Sequence, residues 1–165
     1  MTVYTKNNAV GIDKIINRMQ AHLQRELNDW NIDIYHKLYN VDNKPVAFIS
    51  DIDYRDVLLN DNQNVCAFLV KESESKSEQD LMKIDVDIIF TLNLSGTQRE
   101  DETAKIIAYQ AVKSSHWKVT GIERTLPVIL SGFDLNGLEY RDMQPFFNFA
   151  IKCEVYYSLN ECVKN

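Results

Sequence analysis

Two pairs of carboxylates are the residues in this chain that come nearest to a chemical motif. Asp51-x-Asp53 and Asp85-x-Asp87 each place two acidic side chains one residue apart. On extended backbone that spacing puts both on one side. Such a pair can hold Mg²⁺ for phosphodiester cleavage. The solvated face of a strand or loop calls for the same residues, and that is the preferred reading. A nuclease of the common restriction-type fold would also need a Glu-x-Lys strand after the first Asp, and Lys152-Cys153-Glu154 has the order reversed.

Other catalytic material is sparse. His22, His36 and His116 are scattered, and His36 falls in the row of Ile34 and Leu38, where a core or interface histidine is expected. There is no H-E-x-x-H, G-x-S-x-G, Walker A loop or dinucleotide-binding glycine fingerprint. Five glycines leave little material for a phosphate cradle. Cys66, Cys153 and Cys162 lack C-x-x-C spacing, which argues against a zinc site or a disulfide framework. The expectation is a protein without enzymatic activity, cofactor or metal.

Composition narrows the partners. The net charge is −6 and Lys and Arg are dispersed, so no basic stripe exists to neutralise phosphates. Sequence-specific nucleic-acid binding is not expected, although an acidic surface would let DNA pass. No run approaches the ~20 apolar residues of a membrane span. The chain reads as cytosolic at synthesis. Its 165 residues suit one domain spanning 1–165.

The elements are clearer than the chemistry. Met82, Ile84, Val86, Ile88, Phe90, Leu92 and Leu94 alternate with mostly polar residues. Phe147, Phe149, Ile151, Cys153, Val155, Tyr157 and Leu159 repeat the pattern near the C-terminus. Period two means a strand with one face buried and the other wet. Residues 11–30 carry an apolar stripe of Ile12, Ile15, Ile16, Met19, Leu23, Leu27 and Trp30 at helical spacing, with Lys14, Arg18, Gln24 and Arg25 off it. Residues 32–39 read as a strand with Ile32, Ile34 and Leu38 on one side, followed by a turn at 41–44 and a short strand from Pro45 to Ile49. Residues 50–64 read mainly as loop. Thr97 to Glu100 matches a capping box opening a helix that runs to about Ser114. Trp117 to Leu130 reads as a strand interrupted near Pro127, residues 132–143 as a loop, and Gln144-Pro145 as the start of the last strand.

Between the strand at Val65–Val70 and the long one from Leu81 lies a segment of Lys71, Glu72, Glu74, Lys76, Glu78 and Asp80 with three serines and no apolar residue. It is expected to project as a mobile hairpin tip or extended loop. Together these elements predict an α+β fold: a mainly antiparallel sheet, two helices packed on one face and a long charged β-hairpin.

The stretch from Ser131 through Gly132, Phe133, Asp134, Leu135, Asn136 and Gly137, then Tyr140-Arg141-Asp142-Met143-Gln144-Pro145-Phe146 and a long alternating strand, resembles small neck and tail-completion proteins of long-tailed bacteriophages. Tail terminators share this element order. The resemblance implies a structural virion protein that forms a ring, usually of six subunits, at the head-proximal end of the tail. Such a ring stops tube polymerisation and joins tail to head. It implies the tail-tube protein and head–tail connector proteins as partners, with DNA passing the lumen. Another neck component is the nearest alternative, and a small metal-dependent nuclease using Asp51/Asp53 or Asp85/Asp87 is a more distant one. Glu72, Glu74, Lys76 and Glu78 on the hairpin, with Asp85 and Asp87 on the outer row, are the expected interaction residues.

Overall fold

The computed structural model describes residues 1–77, 80–96 and 99–160. Helix α1 (Ile12–Glu26) is followed by strands β1 (Ile32–Val41), β2 (Lys44–Ser50), β3 (Asp53–Asp56), β4 (Asn64–Lys76) and β5 (Leu81–Asn93). Then come helix α2 (Asp101–Lys113), strand β6 (Lys118–Glu123), the short helix α3 (Leu126–Ile129), a 3₁₀ turn at Glu139–Asp142 and strand β7 (Phe146–Ser158). The strands form one seven-stranded sheet in the order β3-β2-β1-β4-β5-β7-β6. Among the named strands only β1 and β4 pair in parallel, and β2 and β3 lie between them in the chain. The α+β class, the mainly antiparallel sheet and the placement of the two long helices on one face are as expected.

The long alternating strands make the centre. β5 and β7 are paired along their whole length, from Leu81↔Ser158 to Asn93↔Phe146. Ile84, Val86, Ile88, Phe90 and Leu92 of β5 pack beside Phe149, Ile151, Cys153, Val155 and Tyr157 of β7 in one core. The stripe Ile16, Met19 and Leu23 of α1 and the small residues Ala104, Ala108 and Ala111 of α2 cover them. Alanine brings α2 close to the sheet. Phe90 stacks on Phe149 at 5.0 Å and meets Trp30 edge-on at 6.2 Å.

Several local expectations are corrected. The other face of the sheet is not simply wet. Tyr35, Leu38, Val65, Ala67, Ile89 and Ala150 form a second core under Leu126, Ile129 and Leu130, with Phe133, Leu135 and Leu138 beside them. Pro127 therefore does not interrupt a strand. It occupies the first turn of α3, where its missing N–H costs nothing. In β1 the register against β4 shifts between Ile34 and Lys37, which moves Leu38 from the row of Ile34 to the second core. Residues 50–64 contain β3, which pairs with β2 from Val46↔Asp56 to Ser50↔Asp53. Helix α1 stops at Glu26, and Leu27 and Trp30 extend its buried cover from the turn that follows. Glu100 is the N-cap of α2. The capping box was expected to start at Thr97, which lies outside the described residues.

The turn between β1 and β2 follows its residue types. Asp42 and Asn43 adopt φ of 51° and 63°. Both values are positive, as a two-residue hairpin turn requires, and Asp and Asn tolerate them better than most residues.

Candidate functional site

The charged segment is a strand over most of its length. β4 continues through Lys76, and Glu74, Ser75 and Lys76 pair with Ile84, Lys83 and Met82 of β5. A bulge separates this stretch from the inner one, because the register shifts between Val70 and Glu74. Backbone pairing needs no apolar side chain, so composition alone misjudged the segment's structure. Lys71 to Lys76 are all exposed. Glu78 lies outside the described residues.

Two contacts fasten this arm to the body. Lys71 Nζ lies 3.0 Å from Asp87 Oδ2. The Tyr157 hydroxyl donates to Glu74 Oε2 at 2.5 Å. Burial, followed by that hydrogen bond and the Glu74 charge, pushes the Tyr157 phenol up to about 12. Asp87 is 4% exposed and cannot line a wet surface, whereas Asp85 is exposed. The expected outer pair is thereby split. Asp51 and Asp53 sit at the exposed turn between β2 and β3, where Ser50 Oγ approaches Asp53 Oδ2 at 3.4 Å. Among the described residues no group of three or more His, Cys, Asp or Glu side chains is placed to hold a metal ion.

The sheet ends in β3 and β6, and the outer part of β4 is open on one side as well. β1 pairs with β4 only as far as Lys37↔Phe68, then turns to β2. From Leu69 outward, among the described residues, β4 has no strand on that side. On the opposite side of the β4-β5-β7-β6 portion, β6 is the terminal strand. Its exposure alternates from Lys118 to Glu123, and Ile122 is an exposed apolar side chain on it.

A cleft of about 460 Å³ lies where α1, the C-terminal end of α2 and the start of β6 meet β7. Met19, Trp117, Val155 and Tyr156 supply apolar surface, and Arg18, His22, Arg25 and His116 supply nitrogen groups. Positions 18, 22 and 25 follow i, i+4, i+7 and share one flank of α1. That spacing was visible in the sequence. Their meeting with His116 and Trp117 was not, because it depends on how α1 crosses the end of α2. His22 Nε2 is 2.8 Å from the Ala111 carbonyl oxygen and 3.0 Å from Ser114 Oγ, which ties α1 to the last turn of α2.

Two further polar clusters tie separate parts of the fold together. Asp13 on α1 meets Lys37 at 2.9 Å and Lys6 at 3.6 Å. Burial alone would raise the Asp13 carboxyl. The hydrogen bond and charge of Lys37, with Lys6, outweigh it and hold the group below the usual carboxylate range. Buried Arg141 meets Asp61 at 2.6 Å, and the Tyr140 hydroxyl donates to the same carboxylate at 2.9 Å. Cys66 and Cys153 are buried free thiols. Burial pushes both up, Cys153 to about 12 with the Asp87 charge adding to the effect, so neither is a nucleophile near neutral pH.

No protein-family model matches the chain, and a search of curated proteins finds no match either.

Proposed function

We propose that the chain is a structural assembly protein that closes into a ring through its sheet edges, as a tail terminator or related neck component of a tailed bacteriophage virion. The observation that carries this reading is a pair of unlike open edges on opposite sides of the β4-β5-β7-β6 portion of the sheet, outer β4 and β6; the sheet's other terminal strand, β3, is only four residues long. Joining one edge to the other on the next copy is a heterologous contact, and a heterologous contact that closes makes a ring. Strand addition at an edge supplies affinity through main-chain hydrogen bonds. The charges Lys71, Glu72, Glu74 and Lys76 along outer β4 oppose indiscriminate pairing and leave a matched partner as the favoured one. The resemblance in element order and in the Ser131–Phe146 stretch supplies the virion context. A hexamer at the head-proximal end of the tail, contacting the tail-tube and connector proteins, is the form that context favours. Asp85, with the hairpin residues, is then available to neighbours or lumen. Asp87 is committed to Lys71.

The reading is tested by electron microscopy and light scattering on the purified protein. Closed rings are expected. Ile122→Lys on β6 should disperse them to monomers while leaving the circular dichroism spectrum unchanged. A wild-type protein that stays monomeric at every concentration and salt level tried would overturn the proposal.

A further inference from the structure

None of the residues lining the cleft at the end of α1 belongs to β4 or β6, and the lining is distinctive for so acidic a chain. No carboxylate lines it, although the net charge is −6. Elsewhere Arg99, Arg124 and Arg141 each pair with an acidic side chain. Arg18 and Arg25 have no ion pair or hydrogen bond among the described residues, and both line the cleft. Arg25 lies in the last turn of α1, where a cation is favoured by the helix dipole alone. Arg18 lies two turns earlier, at mid-helix, and the dipole gives no reason for it. The rise of about 1.5 Å per residue sets the two some 10 Å apart along the axis, with His22 between them. Their long side chains can converge over it.

The floor is of the opposite character. Met19 and Val155 are both buried, and Trp117 is held edge-on by Phe68 at 5.9 Å. The volume falls in the range of small-molecule sites, about 300–1,000 Å³. An apolar floor under unpaired guanidinium groups suits a ligand with the same division. Arg is the side chain best fitted to planar two-point contact with carboxylate or phosphate.

We propose that this cleft binds a small organic anion, with its aromatic or aliphatic body against Met19, Trp117 and Val155 and its phosphate or carboxylate held by Arg18 and Arg25. His22 is a positioning residue: its bond to the Ala111 carbonyl fixes the wall between α1 and α2. The proposal is independent of ring assembly and stands or falls separately.

Nuclear magnetic resonance titration of the ¹⁵N-labelled chain tests it with four probes: phenyl phosphate, phenylacetate, inorganic phosphate and benzyl alcohol. Saturable shifts of the Trp117 indole and of α1 amides are expected with at least one of the two aromatic anions. The stronger of the two identifies the headgroup source. Inorganic phosphate lacks the body and benzyl alcohol lacks the charge, so each should bind about tenfold more weakly or not at all. The exposed pair Arg18→Gln/Arg25→Gln should weaken the aromatic anion by about tenfold or more, and Arg18→Lys/Arg25→Lys should retain part of the affinity. The absence of saturable shifts with both aromatic anions would overturn the proposal. So would binding that the Gln pair leaves unchanged, or equal binding of benzyl alcohol.

Discussion

His36 is fully enclosed, with Nε2 3.3 Å from the Asp13 carbonyl oxygen and Nδ1 without a hydrogen-bond partner. Burial pushes its pKa down to about 4, and the nearby Asp13 carboxylate only partly offsets this; Lys6 and Lys37 add to the depression. The unfolded chain holds this proton with a pKa near 6.5. Between those values the unfolded state binds the extra proton, so stability falls as pH falls. The contribution is fully present above about pH 6.5 and is lost progressively towards pH 4, amounting to roughly 2 kcal/mol by pH 5. Urea unfolding of wild type at pH 7 and pH 5 should show this loss. His36→Gln should remove most of the difference between the two pH values, and an unchanged slope in that variant would contradict the assignment. The sequence already pointed to a core histidine here. It did not show which core, because the register shift after Ile34 changes the row. Asp87 likewise has the spacing of a wet-face residue, yet it is buried. Its burial depends on elements remote in sequence, beyond the reach of a local period of two.

Element by element, legibility followed apolar content. The partners β5 and β7 were visible as alternating rows, and α1 and α2 as stripes. Outer β4 was obscured because its side chains are charged while its order comes from backbone pairing. α3 was obscured because Pro127 breaks strands and starts helices equally well. The structure changes what a hairpin truncation should do. Replacing residues 72–79 with a short Gly-Ser turn would have been nearly neutral for a mobile tip. It now removes the pairing of Glu74 to Lys76 with β5 and the Tyr157–Glu74 hydrogen bond. A net hydrogen bond contributes about 1 kcal/mol, so a loss of about 1–2 kcal/mol is expected. Tyr157→Phe alone should account for roughly half of it. Denaturant midpoints measure both, and a truncated protein as stable as wild type would show that outer β4 adds nothing.

At the scale of the whole molecule, one sheet separates two cores. Trp30 belongs to the larger core and Trp117 packs against it, while Leu130 is buried in the smaller core on the far side. Leu130→Ala should cost about 2–5 kcal/mol by leaving a cavity. If the sheet couples the two sides, tryptophan fluorescence and far-ultraviolet circular dichroism should shift to the same lower midpoint. A fluorescence midpoint that stays at the wild-type value while the other moves would mean the two faces melt separately. The sequence indicated one core only. The second is assembled from α3 and the 132–138 stretch, whose apolar residues are too irregularly spaced to announce a shared face.

The parting of β1 from β4 also concerns the chain's first residues. β2 flanks β1 only from Leu38 onward. Beside the earlier part, Val3 bridges to Ile34 in parallel, the Ile34 N–H donates to the Thr2 carbonyl at 2.8 Å, and the Tyr4 N–H donates to the Ile34 carbonyl at 2.9 Å. Tyr4 then stacks on Tyr35 at 4.7 Å. These few residues serve as a selvage, finishing a margin that β2 leaves raw. Deleting residues 1–4 would bare the backbone groups of Ile34 in an apolar stretch, the kind of margin that recruits foreign strands. The shortened protein should therefore precipitate on storage at concentrations where the intact one stays clear, with turbidity as the readout.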